Sequence, residues 1–346
     1  MIKKKDDLMN PEERKQILSG KGKKIRRKPQ VENNKPQEGN SKGRPKRRGK
    51  QRQQPMSLKE HTISWAKTIL GALLIVMIVN GLLIQSFVVP TESMENEVLA
   101  GDFLFVNRFI YGGSTPQTIP FLNISLPYIS FPGIRDPEKG DVIVFIYPGD
   151  RDQVEAKDFQ YYLKRCVAVA GDTLEVRNGY AYVNGVKEKN PRNIFFDPRR
   201  SPNPQDIYRT FPRGRKWSPE NWGPMRIPKK GDVIQLNDTN YQEWEIFIQR
   251  EGHDIRKNST LIVIDDKEVA SYTVERDYVF GMGDNRKNSH DSRFWGFIPE
   301  ENVVGTPLIV YWSWKNKEGQ GESLREYSLG EKFGNIRWNR IFNGVK

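Results

Sequence analysis

The chain has 346 residues and carries 56 Lys+Arg against 43 Asp+Glu, a formal net charge of +13. Residues 1–60 hold 20 of the basic and 7 of the acidic residues, which leaves 36 of each in residues 61–346 and no net basic body to face nucleic acid. The one cysteine, Cys166, excludes an intrachain disulfide framework and a cysteine zinc cluster, and the three histidines (His61, His253, His290) are too dispersed for a metal site, so neither metal nor cofactor is expected.

Residues 20–55 are mostly Lys, Arg, Gln, Asn, Gly and Pro. They cannot bury enough apolar surface to offset the entropy of ordering, so residues 1–60 read as a disordered basic tail. A short helix is expected from Asn10-Pro11-Glu12-Glu13. Lys67 and Glu92 then bracket 24 uncharged residues, including the run Ile69-Leu70-Gly71-Ala72-Leu73-Leu74-Ile75-Val76-Met77-Ile78-Val79. About 20 apolar residues at ~1.5 Å rise each cross a hydrocarbon core of ~30 Å. A buried core helix shares this pattern, but rarely over so long a charge-free run. A cleaved signal peptide shares it too, but the long preceding region and the lack of a clean small-x-small site argue against that. One uncleaved transmembrane helix over 62–88 is expected. The positive-inside rule places the tail in the cytoplasm and everything past about residue 88 outside. The tail is a topology signal or, in addition, a contact for anionic lipid.

The exterior part reads as β-rich. Strands are expected at Phe103–Asn107, Val142–Tyr147, Thr173–Val176, Tyr180–Asn184, Val233–Leu236, Glu243–Gln249, Leu261–Ile264, Val269–Val274, Tyr278–Phe280 and Leu308–Trp312. Gly-Asp pairs at 101–102, 140–141, 171–172 and 231–232 each precede a strand, which is ordinary turn chemistry. Residues 186–230 look like a long elaboration between strands, and 315–346 like a surface extension or docking tail.

Three segments carry reactive side chains. Ser93 stands in Pro90-Thr91-Glu92-Ser93-Met94, with no Gly-x-Ser-x-Gly elbow. Two bases are open to it. His290 is one, since His61 lies on the cytoplasmic side of the membrane segment and His253 lies in the elaborated region. Lys164, in the apolar run Tyr161–Val169, is the other. Strand alternation puts Tyr162, Lys164 and Cys166 on one face and Leu163, Arg165 and Val167 on the other. A lysine at a strand edge snorkels to water, whereas a buried one loses its proton more readily. To act as a base at neutral pH it must fall from ~10.4 to roughly 7–8, a cost of about 4 kcal/mol that apolar burial can supply. The third segment, Gly281 to Gly296, is a glycine-hinged polar loop, either solvated or internally hydrogen-bonded.

As an ordered set these segments resemble the type I signal peptidases, the Ser-Lys leader peptidases of bacterial membranes. The resemblance rests on Ser93-Met94 with Leu99-Ala100-Gly101-Asp102-Phe103-Leu104-Phe105-Val106-Asn107-Arg108, on Gly140-Asp141-Val142-Ile143-Val144-Phe145, and on Tyr162-Leu163-Lys164-Arg165 leading to Ala170-Gly171-Asp172. It is completed by Gly283-Asp284-Asn285-Arg286-x-Asn288-Ser289-x-Asp291-Ser292-Arg293-Phe294-Trp295-Gly296. It implies a mainly β fold: a coiled antiparallel β-sheet catalytic core (89–176 and 271–314), an inserted smaller α+β or β domain (177–270) and a C-terminal extension (315–346). It implies Ser93 as nucleophile, Lys164 as general base and Ser289 as the hydroxyl that orients the lysine. The Ser93 N–H and the Thr91 hydroxyl become oxyanion donors, and Asp291 with Arg293 a bracing ion pair. Phe87, Val89, Pro90, Met94, Tyr162 and Leu163 become the substrate-binding set, and His290 falls between motif positions. Trp295 and Phe297 either dip into the bilayer interface or pack in the core.

The implied activity is removal of signal peptides from exported preproteins after small-x-small residues, at a bacterial cytoplasmic membrane crossed once. The expected partners are preproteins and the lipid bilayer, without nucleic acid, and the expected state is monomeric. The same fold without activity, as a membrane-tethered binding or assembly protein, is the alternative. A soluble Ser-Lys self-cleaving repressor would need a DNA-binding segment in place of the apolar run. Two residue patterns depart from the family. Asn96-Glu97-Val98 stands where Pro-Thr-Leu is usual, removing a φ-locking proline and adding a carboxylate near the site. Thr91 stands where serine is common, and its β-branch restricts χ1.

Overall fold

The structure, a computed structural model, describes residues 57–113, 129, 131–199, 201, 203–259, 261–315 and 329–346. The tail up to residue 56, with the short helix expected near its start, lies outside the described residues.

Helix α1 (Leu58–Ile78) opens with a capping box. The Ser57 hydroxyl accepts the Glu60 N–H, and the Glu60 carboxylate accepts the Ser57 N–H. A π turn over Val79–Leu83 continues it, so 26 residues, Leu58–Leu83, form one helix long and apolar enough to cross a membrane. At ~1.5 Å per residue this is about 39 Å. Trp65, Leu70, Leu74 and Ile75 along it are exposed, whereas a core helix of a soluble body would be covered. Ile84–Val88 forms a strand, which takes these five residues out of the expected anchor and into the sheet.

The strands run β1 (Ile84–Val88), β2 (Asp102–Asn107), β3 (Val142–Ile146), β4 (Tyr161–Ala168), β5 (Thr173–Arg177), β6 (Tyr180–Val183), β7 (Val186–Lys187), β8 (Trp222–Arg226) and β9 (Val233–Gln235). After helix α2 (Tyr241–Arg250) come β10 (Ile255–Asn258), β11 (Leu261–Ile264), β12 (Lys267–Val269), β13 (Ser271–Thr273) and β14 (Tyr278–Met282). The short helix α3 (Ser292–Trp295) precedes β15 (Ile298–Pro299) and β16 (Val303–Ser313), and α4 (Leu329–Gly334) comes last. The fold is mainly β. A curled antiparallel sheet of seven strands has the order β1-β2-β16-β3-β4-β14-β15. Three smaller sheets, β7-β6-β5-β8, β10-β11-β12 and β13-β9, arise from the chain between β4 and β14.

These smaller sheets share a core with the large one. Ala168 of β4 and Phe280 of β14 lie in one buried cluster with Leu174, Trp222, Phe247 and Ile255. Trp295 and Phe297 are buried too, so they pack in the core and do not reach a bilayer. Glu243–Gln249, expected as a strand, lies inside α2. Its apparent alternation misleads, because Tyr241, Phe247 and Ile248 are buried with Trp244 packed beside them, and that spacing is helical. Strands β1, β7, β8, β10 and β15 are not among those expected, and β12 meets an expected strand only at Val269. Pro224 within β8 hides its strand character.

Each of the four Gly-Asp pairs closes the same turn. The glycines have φ between 87° and 96°. Each aspartate returns a carboxylate oxygen to the N–H three residues earlier: Asp102 to Leu99, Asp141 to Glu138, Asp172 to Val169 and Asp232 to Lys229. The carboxylate thus fixes the chain as it enters the sheet.

Past α4, the backbone of residues 335–345 docks along β16. Lys315 donates to Asn335, Val310 to Asn343, Phe342 to Val310 and Val345 to Leu308.

Candidate active site

Ser93 sits on a loop that leaves β1 and returns to β2. The loop is pinned at its base, where the Val89 N–H donates to Asp102 and the Gly101 N–H to Val89. One helical turn follows the serine, with the Val98 N–H donating to the Met94 carbonyl at 2.8 Å. Met94 and Val98, both fully buried, plug this turn into the core beside Leu104 and Val142.

Lys164 lies on β4, between β3 and β14, with Ile143 opposite it. The expected alternation holds, since Cys166 and Tyr162 pack in one cluster and Leu163 in another. Lys164 is 4% exposed. Its Nζ donates to Ser93 Oγ at 2.8 Å and to the Leu163 carbonyl at 3.0 Å, and lies 5.5 Å from the Tyr162 ring centre. Burial brings the amine down from 10.5 to about 8, against the Asp291 carboxylate, which favours the ammonium. Thr91 Oγ1 is 3.4 Å from Ser93 Oγ. Among the described residues the Ser93 N–H has no acceptor.

The loop after β14 closes over this pair. The Asn285 N–H donates to the Ser93 carbonyl at 3.1 Å, the Asp284 N–H to Met94 Sδ at 3.4 Å, and Asn285 Nδ2 to Glu95 at 2.9 Å. Asp291 and Arg293 form a buried two-bond pair, with both N–H···O distances 2.8 Å. Burial pushes the Asp291 carboxyl up, and Arg293 with the Gly283 N–H overcomes this and leaves it below the usual carboxylate range. Arg293 also reaches the Pro219 and Arg286 carbonyls, so the pair ties the loop to the inserted region.

Ser289 lies beside Asp291, but its buried Oγ makes no well-aligned hydrogen bond. The expected Ser289–Lys164 hydrogen bond is therefore not formed here. The Ser289 side chain instead packs against the Gly283 backbone, where a Cβ would overlap both it and the Ser93 carbonyl. Phe87, Val89, Met94 and Leu163 meet in one apolar cluster. Met94, at 1% exposure, lies beneath any surface a substrate would touch. Pro90 is exposed, and Tyr162 stacks on Tyr147 at 4.3 Å on the lysine face of β4. The His290 side chain is 45% exposed and turns toward Asp150, 3.8 Å away, and Phe294.

Two groups within the motifs support the site in ways the sequence does not reveal. Arg165 and Asp284 form a buried pair, and the Asn285 N–H binds the Ser93 carbonyl. The available signal was one-sided: Arg165 stands out in the apolar run of β4, whereas Asp284 is one charge among many in a polar loop. A backbone donor such as the Asn285 N–H leaves none.

A family model described as signal peptidase, peptidase S26, matches residues 62–312. The Signal peptidase I of Helicobacter pylori strain J99 is 27% identical over 300 residues, covering 82% of this chain and 91% of that protein. The Signal peptidase I of Aquifex aeolicus is 29% identical over 260 residues, covering 70% and 81%. That of Pseudomonas aeruginosa is 29% identical over 269 residues, covering 73% of each.

Proposed function

The chain belongs to the signal peptidase family, peptidase S26, and from that membership we propose a membrane-anchored endopeptidase that removes signal peptides from exported preproteins with a Ser93–Lys164 dyad. The contact between Lys164 Nζ and Ser93 Oγ, 2.8 Å long and buried, carries this reading.

With an amine brought to about 8, a useful fraction is neutral near pH 7–8. In that form the contact reverses: Oγ–H donates to the Nζ lone pair, the proton passes to nitrogen, and Oγ attacks the scissile carbonyl. The Ser93 N–H and Thr91 hydroxyl stand ready to hold the oxyanion, and loss of one such donor typically costs about 10²–10³ in rate. The Lys164 ammonium then protonates the leaving amine. Water, deprotonated by the same lysine, hydrolyses the acyl-enzyme ester and frees Ser93.

The apolar helix Leu58–Leu83 ends ten residues before Ser93. This spacing supports a nucleophile near the membrane surface, where a peptide bond just beyond a preprotein's own apolar segment would present. With the basic residues of 1–60 in the cytoplasm, the site faces outside. The cluster of Phe87, Val89 and Leu163 suits small side chains before the cut.

The test is cleavage of a preprotein bearing an Ala-x-Ala site by full-length protein in lipid vesicles. Wild type should cut after that site, and folded Ser93→Ala and Lys164→Ala should not. Activity that survived Lys164→Ala but vanished in His290→Ala would overturn the dyad, and a wild type inert on several preproteins would overturn the substrate.

A further inference from the structure

Asn96 has φ 79°, a left-handed backbone closed to proline, whose ring holds φ near about −65°. The turn after Ser93 is therefore not stiffened from within by a proline. It is held from outside, through Glu97. Glu97 Oε1 accepts the Lys346 N–H at 2.6 Å, Oε2 accepts Asn193 Nδ2, and the Glu97 carbonyl accepts Arg340 Nη2 at 3.0 Å. Lys346 in turn accepts Arg165 Nη2 at its carbonyl, at 2.9 Å. The backbone of Lys346 thus joins the residue four past the nucleophile to the residue one past the base. Val345 packs against the cluster that contains Met94 and Val98.

We propose that Glu97 is a positioning residue for the Ser93–Lys164 pair, fastening the nucleophile turn to the base strand through the Lys346 backbone. The proposal rests on the peptidase function above. Hydrogen bonds to a carboxylate are about twice as strong as neutral ones, so one side chain with two such bonds can replace the stiffness a proline would give. Displacement of a reacting atom by about 1 Å can cost ~10²-fold in rate. If the turn loosens, Ser93 leaves the amine and water reaches it. The lysine then regains its proton more easily, and the acid limb of the rate profile moves to higher pH.

The experiment compares wild type, Glu97→Ala, Glu97→Gln and Glu97→Asp as full-length proteins in vesicles. Glu97→Ala should lower kcat at least about tenfold with KM changed less than about threefold, and shift the acid limb of kcat/KM upward. Glu97→Gln keeps an oxygen for the Lys346 N–H and should recover most of the loss. Glu97→Asp is one methylene too short, should behave as Glu97→Ala, and decides the matter if that variant does not fold. Amide exchange is read in parallel, and the Val98 amide should exchange faster in Glu97→Ala while those of β4 do not. A folded Glu97→Ala with wild-type kcat, acid limb and Val98 exchange overturns the proposal. So does a loss that follows thermal stability with the acid limb fixed. Exchange does not depend on cleavage, so an inert wild type would refute the peptidase function and still leave the clamp to be decided by Val98.

Discussion

Arg165 grips Asp284 through two parallel bonds, Nε to Oδ1 at 2.8 Å and Nη2 to Oδ2 at 2.6 Å, with the Asp284 side chain 0% and the Arg165 side chain 6% exposed. The pair joins the strand of Lys164 to the loop that carries Asn285 and Ser289. Removing one partner of a buried pair strands the other charge, at a cost of about 3–5 kcal/mol. Asp284→Ala should lose that much in urea unfolding, with activity falling with the folded fraction. A loss below about 1 kcal/mol would mean that Arg165 is satisfied by the Gly140 and Lys346 carbonyls alone.

The candidate site residues were legible because each motif is local. Ser93, Lys164 and the loop to Gly296 stand in short segments of fixed spacing, and the structure brings them together. Strand β4 was legible from its alternation. The helix α2 was not, because Glu243-Trp244-Glu245-Ile246 alternates like a strand and only the burial of Tyr241, Phe247 and Ile248 reveals the longer period. The role of Glu97 was not legible either, since its partners Asn193 and Lys346 are 96 and 249 residues away. The departure from the family pattern shows a carboxylate added near the site, but not what it holds.

With Lys164 as the proposed base, catalysis is tied to pH. Its amine titrates at about 8 when folded and 10.5 when free, so between those values the unfolded chain binds more protons. From this group, stability rises as pH climbs from about 8 toward 10.5 and is constant below 8. Lys164→Met should therefore stabilise the protein at pH 7, by up to about 3 kcal/mol, while abolishing cleavage. In wild type kcat/KM should fall about tenfold per pH unit below the same point. A pH–rate profile with its acid limb near pH 6 would assign the base to another group.

Asp102 is wholly buried and shared by two arginines. Arg340 binds it at 2.6 and 3.1 Å, Arg337 lies 3.7 Å away, and Ser313 Oγ donates at 2.6 Å. Either arginine can cover the carboxylate when the other is removed. Arg337→Ala and Arg340→Ala should each cost about 1–3 kcal/mol, and the double variant more than their sum. Thermal melts of the four proteins check this, and strict additivity would show that Arg337 does not serve Asp102.

Ser289 offers the sharpest separation of stability from chemistry. Its buried hydroxyl lacks a well-aligned partner, so its removal forfeits little, and Ser289→Ala should be neutral or stabilising by up to about 1 kcal/mol. The oxygen keeps a free acceptor, which the Lys164 ammonium can use once it has taken the Ser93 proton, so kcat should fall about tenfold all the same. Gly283→Ala should show the opposite coupling. Its Cβ would overlap the Ser289 side chain and the Ser93 carbonyl, so stability drops by about 1–3 kcal/mol and the nucleophile moves with it. Adding Ser289→Ala to Gly283→Ala should not restore activity, because the overlap with the Ser93 carbonyl remains. Single-turnover cleavage beside urea unfolding reads both quantities. A Ser289→Ala protein with wild-type kcat and a loss above about 1 kcal/mol would make the hydroxyl a packing group and nothing more.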